Sequence, residues 1–365
     1  MENLKDKIHV TQTFMPPKEE YYTQLERIWE SKWLTNRGVL TKELELKLKE
    51  YLNIDNILIM NNGTIPLQIA LKLLGEEGEI ITTPFSYVAT SAAIIWENCT
   101  PVFVDIDPDY LTIDENKIES SITKKTTAIL ATHVFGNPCS IEIIAHIAKK
   151  HNLKVIYDAA HCFGVTYKGE SIFKSGDIST CSFHATKLFH TGEGGAIFCE
   201  DENLMHKISY SHNFGHNGPI DFHGLGINAK ISELQSAMGL SVLPYMNTII
   251  KERKKVVNFY RDNLNFKVLR TIKIRNNVEW NFSYFPIIFK NEEMLLSVQK
   301  GLNDNNIFPR RYFYPSLNTI PYISKTAMPI SESIAKRILC LPLFVGMSDS
   351  LLKEICDSIN DNLVQ

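Results

Sequence analysis

Ala128-Ile129-Leu130-Ala131-Thr132-His133, Ser140-Ile141-Glu142-Ile143-Ile144-Ala145-His146-Ile147-Ala148-Lys149-Lys150 and Lys154-Val155-Ile156-Tyr157-Asp158 follow one another along the chain. The first and last are short apolar runs with β-branched residues, and the middle one repeats its apolar residues at helical spacing behind Ser140, a residue suited to an N-cap. A strand, a crossover helix and a second strand make a βαβ unit, whose two strands are parallel.

The same alternation extends outward over residues 51–199. Strands are predicted upstream at Glu79-Ile80-Ile81-Thr82-Thr83 and Pro101-Val102-Phe103-Val104-Asp105, and downstream at Ser179-Thr180-Cys181-Ser182-Phe183 and Ala196-Ile197-Phe198-Cys199. A Gly-containing turn separates the last two. Residues 231–264 read as a long helical stretch interrupted at Pro244, and the rest mixes strand-like and helix-like segments without clean repetition. The expected fold is α/β: a mostly parallel central sheet with flanking helices in a large domain, residues 1–245, and a smaller C-terminal α+β domain, residues 246–365.

The 365 residues, 44% hydrophobic and 22% charged, are enough for a sizeable core. A net charge of -3 with dispersed lysines leaves no basic footprint for nucleic acid. The N-terminal Met1-Glu2-Asn3-Leu4-Lys5-Asp6 lacks a leader pattern, and no apolar run approaches the roughly 20 residues that span a bilayer. A cytoplasmic protein without membrane contact is expected. Seven widely spaced cysteines without a C-x-x-C pair point to neither disulfides nor a metal site.

In an open parallel sheet, functional side chains gather beyond the carboxyl ends of the strands. Lys187 lies just past one such end, in Ser182-Phe183-His184-Ala185-Thr186-Lys187, where a lysine can lose its proton and form an imine. Asp158 closes the strand Val155-Ile156-Tyr157, placed to face the same crevice. Pyridoxal phosphate needs such a carboxylate, because its ring is an electron sink only while the pyridine nitrogen stays protonated. Gly63 and Thr64, in Asn61-Asn62-Gly63-Thr64, open a helical pattern and could offer N–H and hydroxyl donors to a phosphate. Tyr87, in Thr83-Pro84-Phe85-Ser86-Tyr87, could stack on a flat ring. Each residue also has a plain alternative: a surface lysine, a turn aspartate, an ordinary helix start, a packed tyrosine.

Together these pieces resemble the DegT/StrS-type sugar-nucleotide aminotransferases, within the fold-type I pyridoxal-phosphate enzymes. The likeness spans nearly the whole chain. It begins at Trp33-Leu34-Thr35-Asn36-Arg37-Gly38, is strongest at Asp158-Ala159-Ala160-His161 and Ser182-Phe183-His184-Ala185-Thr186-Lys187, and continues through Glu193-Gly194-Gly195, Gly226-Ile227-Asn228-Ala229-Lys230 and Arg310-Arg311-Tyr312-Phe313-Tyr314-Pro315. It implies Lys187 as the cofactor-bearing lysine and proton shuttle, Asp158 as partner of the pyridine nitrogen and Tyr87 as the stacking ring. It further implies Gly63, Thr64 and Ser182 as phosphate ligands, with Asn228 reaching the phosphate from the neighbouring subunit of a homodimer with shared active sites. His161, where many relatives carry Gln, could lie over the ring or be a core histidine. Lys230 and Tyr312 are the candidates for nucleotide pyrophosphate and sugar.

The implied reaction is ping-pong transfer of an amino group from L-glutamate to a nucleotide-linked ketosugar, with dTDP-4-keto-6-deoxy-D-glucose, giving dTDP-4-amino-4,6-dideoxy-D-glucose, as the first candidate. A branch that performs dehydration has His in place of the lysine, and Lys187 favours transamination. A 3-keto isomer and a non-catalytic cofactor-binding regulator are the alternatives. A nucleotide-sugar oxidoreductase would need G-x-G-x-x-G after its first strand, whereas Gly192, Gly194 and Gly195 sit between two late strands.

Overall fold

Seven strands build the central sheet: β1 (Ile57–Met60), β2 (Glu79–Thr82), β3 (Thr100–Phe103), β4 (Thr126–Thr132), β5 (Lys154–Asp158), β6 (Ile178–Ser182) and β7 (Gly195–Phe198). The computed structural model describes residues 7–363, so the N-terminal segment read above for a leader pattern lies outside the described residues. Across the sheet the order is β1-β7-β6-β5-β4-β2-β3. All neighbours are parallel except β7, which runs antiparallel to both β1 and β6.

Helices cover both faces, and the alternation of side chains divides each strand between two cores. Ile80, Leu130 and Ile156 pack on one face with Leu67 and Leu71 of the helix Thr64–Leu74. Ile81, Ile129, Val155 and Tyr157 pack on the other with Ile144 and Ile147 of the helix Ile141–His151. That crossover helix begins directly after Ser140, as expected, but the Ser140 hydroxyl donates to Glu115 instead of capping the helix. Asn152 closes it in the left-handed conformation, at φ 54°.

β1 was not among the expected strands. It is a fully buried four-residue apolar run that follows the helix Val39–Leu52 after a short turn. The long C-terminal helical stretch resolves into Glu233–Val242, a 3₁₀ turn at Leu243–Tyr245 holding Pro244, and Met246–Asn263. The proline falls at the junction, where its missing N–H costs least.

Beyond residue 263 a smaller antiparallel sheet of β8 (Arg270–Thr271), β9 (Phe285–Ile288) and β10 (Ile338–Leu341) carries the helices Glu292–Asp304 and Asp349–Leu363. Phe285, Leu295, Leu341 and Ile359 form its core, joined by Val257 and Tyr260 of the Met246–Asn263 helix. Arg253 of that helix is buried and donates to the carbonyls of Phe282, Ser283 and Leu343, which ties the helix to the smaller sheet. All seven cysteines are free and buried. Among the described residues no helix is long and apolar enough to cross a membrane, and no cluster of side chains could hold a metal ion.

Candidate active site

Thr132, Asp158 and Ser182 end β4, β5 and β6, and the parallel register sets Thr132 beside Asp158. The chain after β6 loops out over residues 183–194 and returns as β7. Backbone bonds pin this loop across its own base, from Phe183 N to Gly194 O (2.8 Å), from Ala185 N to Gly192 O (2.7 Å) and from Thr191 N to Phe183 O (2.9 Å). Gly192 adopts φ +81°, a conformation that favours glycine. Phe183 and Phe189 are buried and anchor the loop against Phe163. Lys187, half-buried, projects from it into a cavity of about 240 Å³.

Eight of the ten expected site residues line this cavity: Gly63, Thr64, Tyr87, Asp158, His161, Ser182, Lys187 and Tyr312. Burial pushes the Asp158 carboxyl above its ordinary range, against the opposing pull of the Thr90 hydroxyl, the Ala160 N–H and Lys187. Burial also lowers the Lys187 ammonium pKa, and Asp158 opposes that shift. A lysine so placed gives up its proton more readily than one in water.

Hydroxyls are lined up behind Asp158. Thr90 Oγ1 donates to Asp158 Oδ2 at 2.6 Å, so Ser86 must donate to Thr90 (2.6 Å), and Thr132 donates to Ser86 (3.0 Å). All three hydroxyls therefore point toward the carboxylate, and each polarises the next. Ala160 N–H adds a bond to Oδ1 at 3.1 Å, so Asp158 is at once a turn residue and a cavity residue. His161 is buried, with Nδ1 accepting from Phe135 N at 3.2 Å, and desolvation, aided by Lys187, holds its pKa well below the ordinary value. It is thus a neutral ring at the cavity wall.

Gly63 lies against the end of β6. A Cβ there would come within 2.7 Å of Ser182 Cβ, so only glycine lets the helix Thr64–Leu74 begin at that place. The Thr64 and Ser182 hydroxyls stand beside this helix start, a donor set that suits a phosphate. Asn62 Oδ1 accepts from Thr64 N and Ile65 N at 2.8 and 2.9 Å and so caps the helix. With Tyr87 half exposed at the rim, the set offers an amine, a carboxylate, a phosphate cradle and an aromatic face. These residues fit pyridoxal phosphate group by group.

The opposite wall comes from the C-terminal part. Lys187 Nζ sits 5.9 Å from the centre of the Tyr284 ring, Tyr284 meets Tyr312 edge to face at 5.3 Å, and Arg310 lies 4.6 Å over Tyr312. Tyr284, Phe313 and Arg310 were not expected as site residues, nor were Ser86, Thr90 and Thr132. Ser86, Thr132, Arg310 and Phe313 stand inside quoted stretches and were the signals open to the sequence.

Asn228 and Lys230 are not brought to this cavity by the chain that carries them. Asn228 is exposed and bridged to Asn213, while Lys230 donates to Asn213 Oδ1 at 2.9 Å and lines a separate cavity with Arg37, His212 and Phe214.

Known proteins resemble this chain over nearly its whole length. The model of the DegT/DnrJ/EryC1/StrS aminotransferase family matches residues 17–360. A dTDP-4-amino-4,6-dideoxy-D-glucose transaminase of Shigella dysenteriae is 42% identical, covering 97% of this chain and 98% of that protein. A protein of the same description from Escherichia coli is 40% identical, covering 95% and 96%. The crystal structure of DesI in the presence of its TDP-sugar product superimposes with a TM-score of 0.93 at 28% identity, covering 99% of this chain and 94% of that one.

Proposed function

The chain belongs to the DegT/DnrJ/EryC1/StrS aminotransferase family, and we propose that it moves an amino group from L-glutamate to dTDP-4-keto-6-deoxy-D-glucose, giving dTDP-4-amino-4,6-dideoxy-D-glucose. It is a pyridoxal-phosphate-dependent aminotransferase of nucleotide sugars. The sugar and its nucleotide follow the two transaminases that are 42% and 40% identical to it. The observation that carries the reading is the pairing of Lys187 and Asp158 in one cavity, where burial lowers the lysine's basicity.

When bound, the cofactor supplies an electron sink for the proton transfer between donor and acceptor carbons. Lys187 would carry it and would move that proton in both directions, as an amine less basic than a lysine in water. Asp158 would partner the pyridine nitrogen, and the bonds from Thr90 and Ala160 favour its carboxylate form against the effect of burial. Gly63, Thr64 and Ser182 would hold the phosphate, and Tyr87 and His161 would supply aromatic surfaces to the ring. Tyr312 stands where a sugar hydroxyl would be received.

We further infer a homodimer acting in the cytoplasm, in which Asn228 and Lys230 reach the partner's cavity, with a large domain ending near residue 245. Residues 214–227 expose Phe214, Ile220, Phe222, Leu225 and Ile227, with exposures between 40 and 91%. A surface so apolar is one that a second copy would cover. Light scattering with cofactor retention tests this: an active monomer, or an Asn228→Ala variant that keeps its cofactor as firmly as the parent, would refute it.

The reaction is tested by following 2-oxoglutarate release when the loaded protein receives L-glutamate and dTDP-4-keto-6-deoxy-D-glucose. Release in step with sugar consumption is expected. Binding of the cofactor without any such release would mean a non-catalytic protein.

A further inference from the structure

The cavity beside Lys187 contains one other cation among its lining residues, Arg310, in a lining that also includes the acids Asp158 and Glu193. Asp158 is engaged by Thr90 and Ala160, and Glu193 lies 3.6 Å from His184 Nε2. The Arg310 guanidinium has no carboxylate or carbonyl partner among the described residues and rests on the Tyr312 ring at 4.6 Å. Its neighbour Arg311 is occupied, bonded to Glu292 at 2.6 Å and to Lys336 O at 2.8 Å. The backbone of Arg310 is fixed to β10 by reciprocal bonds with Cys340 at 3.1 and 2.8 Å. An exposed arginine on a fixed backbone, aimed into a reaction cavity and left without a counter-charge, is suited to an anion that arrives from outside.

We propose that Arg310 is the anion anchor shared by both half-reactions, gripping the distal carboxylate of the amino donor in one and the diphosphate of the sugar nucleotide in the other. The inference rests on the aminotransferase reading above and adds to it the group that lets one cavity serve two unlike substrates. Both must present their reacting atom to Lys187, and both carry an anion a few bonds away from that atom. The ring series from Lys187 through Tyr284 and Tyr312 to Arg310 spaces the cation from the amine accordingly. A guanidinium fork accepts carboxylate and phosphate oxygens alike in bidentate fashion. Lys230 is the rival cation: within its own chain its ammonium is engaged by Asn213 in the second cavity, and in the homodimer inferred above it would reach the partner's cavity, so the Lys230→Gln variant decides between the two.

The test uses the full chain loaded with pyridoxal phosphate, as parent, Arg310→Gln, Arg310→Lys and Lys230→Gln. Three titrations are followed by the loss of visible absorbance: with L-glutamate, with L-alanine, which has no distal carboxylate, and with dTDP-4-amino-4,6-dideoxy-D-glucose for the reverse direction. A fourth measures binding of dTDP alone by calorimetry. Arg310→Gln should raise the half-saturating L-glutamate and amino-sugar concentrations and the dTDP dissociation constant by roughly ten- to a hundred-fold, as loss of a charge-assisted hydrogen bond implies. L-Alanine titration and cofactor affinity should stay unchanged, and Arg310→Lys should recover part of the loss. An effect on only one of the two substrates, an equal effect on L-alanine, weakened cofactor binding, or a loss that follows Lys230→Gln instead would each overturn the proposal. If the parent itself responds to neither substrate, the aminotransferase reading fails and not merely the role of Arg310.

Discussion

Thr90 Oγ1 donates to Asp158 Oδ2 at 2.6 Å, the last link of an aligned series that starts at Thr132 and passes through Ser86. Burial raises the Asp158 pKa, and this bond is the largest force acting against it. Thr90→Val removes the bond while keeping the shape. The acid limb of the kcat/KM profile should then move upward by about one pH unit, the equivalent of roughly 1.4 kcal/mol. Thr90→Ser should restore it. An unmoved limb with reduced activity would mean that Thr90 serves only packing.

Lys187→Ala should remove turnover, by roughly 10⁴-fold or more given what proton transfer and covalent attachment contribute. The protein should still fold, because the loop is held by its own backbone bonds and by Phe183 and Phe189. Borohydride reduction followed by mass spectrometry is decisive, since a cofactor adduct on the variant would assign the attachment to another residue.

Gly63→Ala forces a methyl to within 2.7 Å of Ser182 Cβ and 2.9 Å of its Oγ. Overpacking of this kind costs about 1–3 kcal/mol. Urea unfolding of the cofactor-free protein should show that loss, and Ser182→Gly in the same chain should recover most of it. If the two changes simply add, the contact is not what excludes a side chain at residue 63.

Four buried histidines, His133, His161, His190 and His212, all with lowered pKa values, make the fold sensitive to acid. Desolvation lowers His133 from 6.5 to about 3 and His212 from 6.5 to about 4. Both bind protons better when the chain is unfolded, so the stability they lend is intact above pH 6.5 and is withdrawn as the pH falls below it. Each withdraws about 1.4 kcal/mol per pH unit across that window. Urea midpoints measured from pH 7 to 5 should fall accordingly, and His133→Phe should flatten the slope. An equal slope in parent and variant would show that His133 is protonated at no cost.

What could be read from the sequence was whatever local pattern governs. Lys154–Asp158 is a strand with the boundaries expected of it, because an apolar run ending in a charged residue leaves few alternatives. β1 escaped notice for the opposite reason: four apolar residues buried on both faces have no alternation, and a helix ends just before them. Asp158 and Lys187 stand out in the sequence only as a pair and inside motifs shared with a family, since alone each reads equally as a turn aspartate or a surface lysine. Thr90 does not stand out, since a threonine early in a helix looks ordinary until the carboxylate it serves is in view. Tyr284 and Arg310 lie about a hundred residues or more beyond Lys187, and no periodicity encodes a contact at that separation. Asn62 read as part of a phosphate loop, and its side chain proves to cap the helix as well.

Because one wall of the cavity is Tyr284, Arg310, Tyr312 and Phe313, the chain cannot complete its reaction chamber until residues 284–313 have been synthesised. A nascent polypeptide halted before Tyr284 would already possess the lysine, the carboxylate and the phosphate cradle, yet its lysine would stand open to bulk water. Maturation thus has a built-in order, with the reactive amine made first and enclosed last.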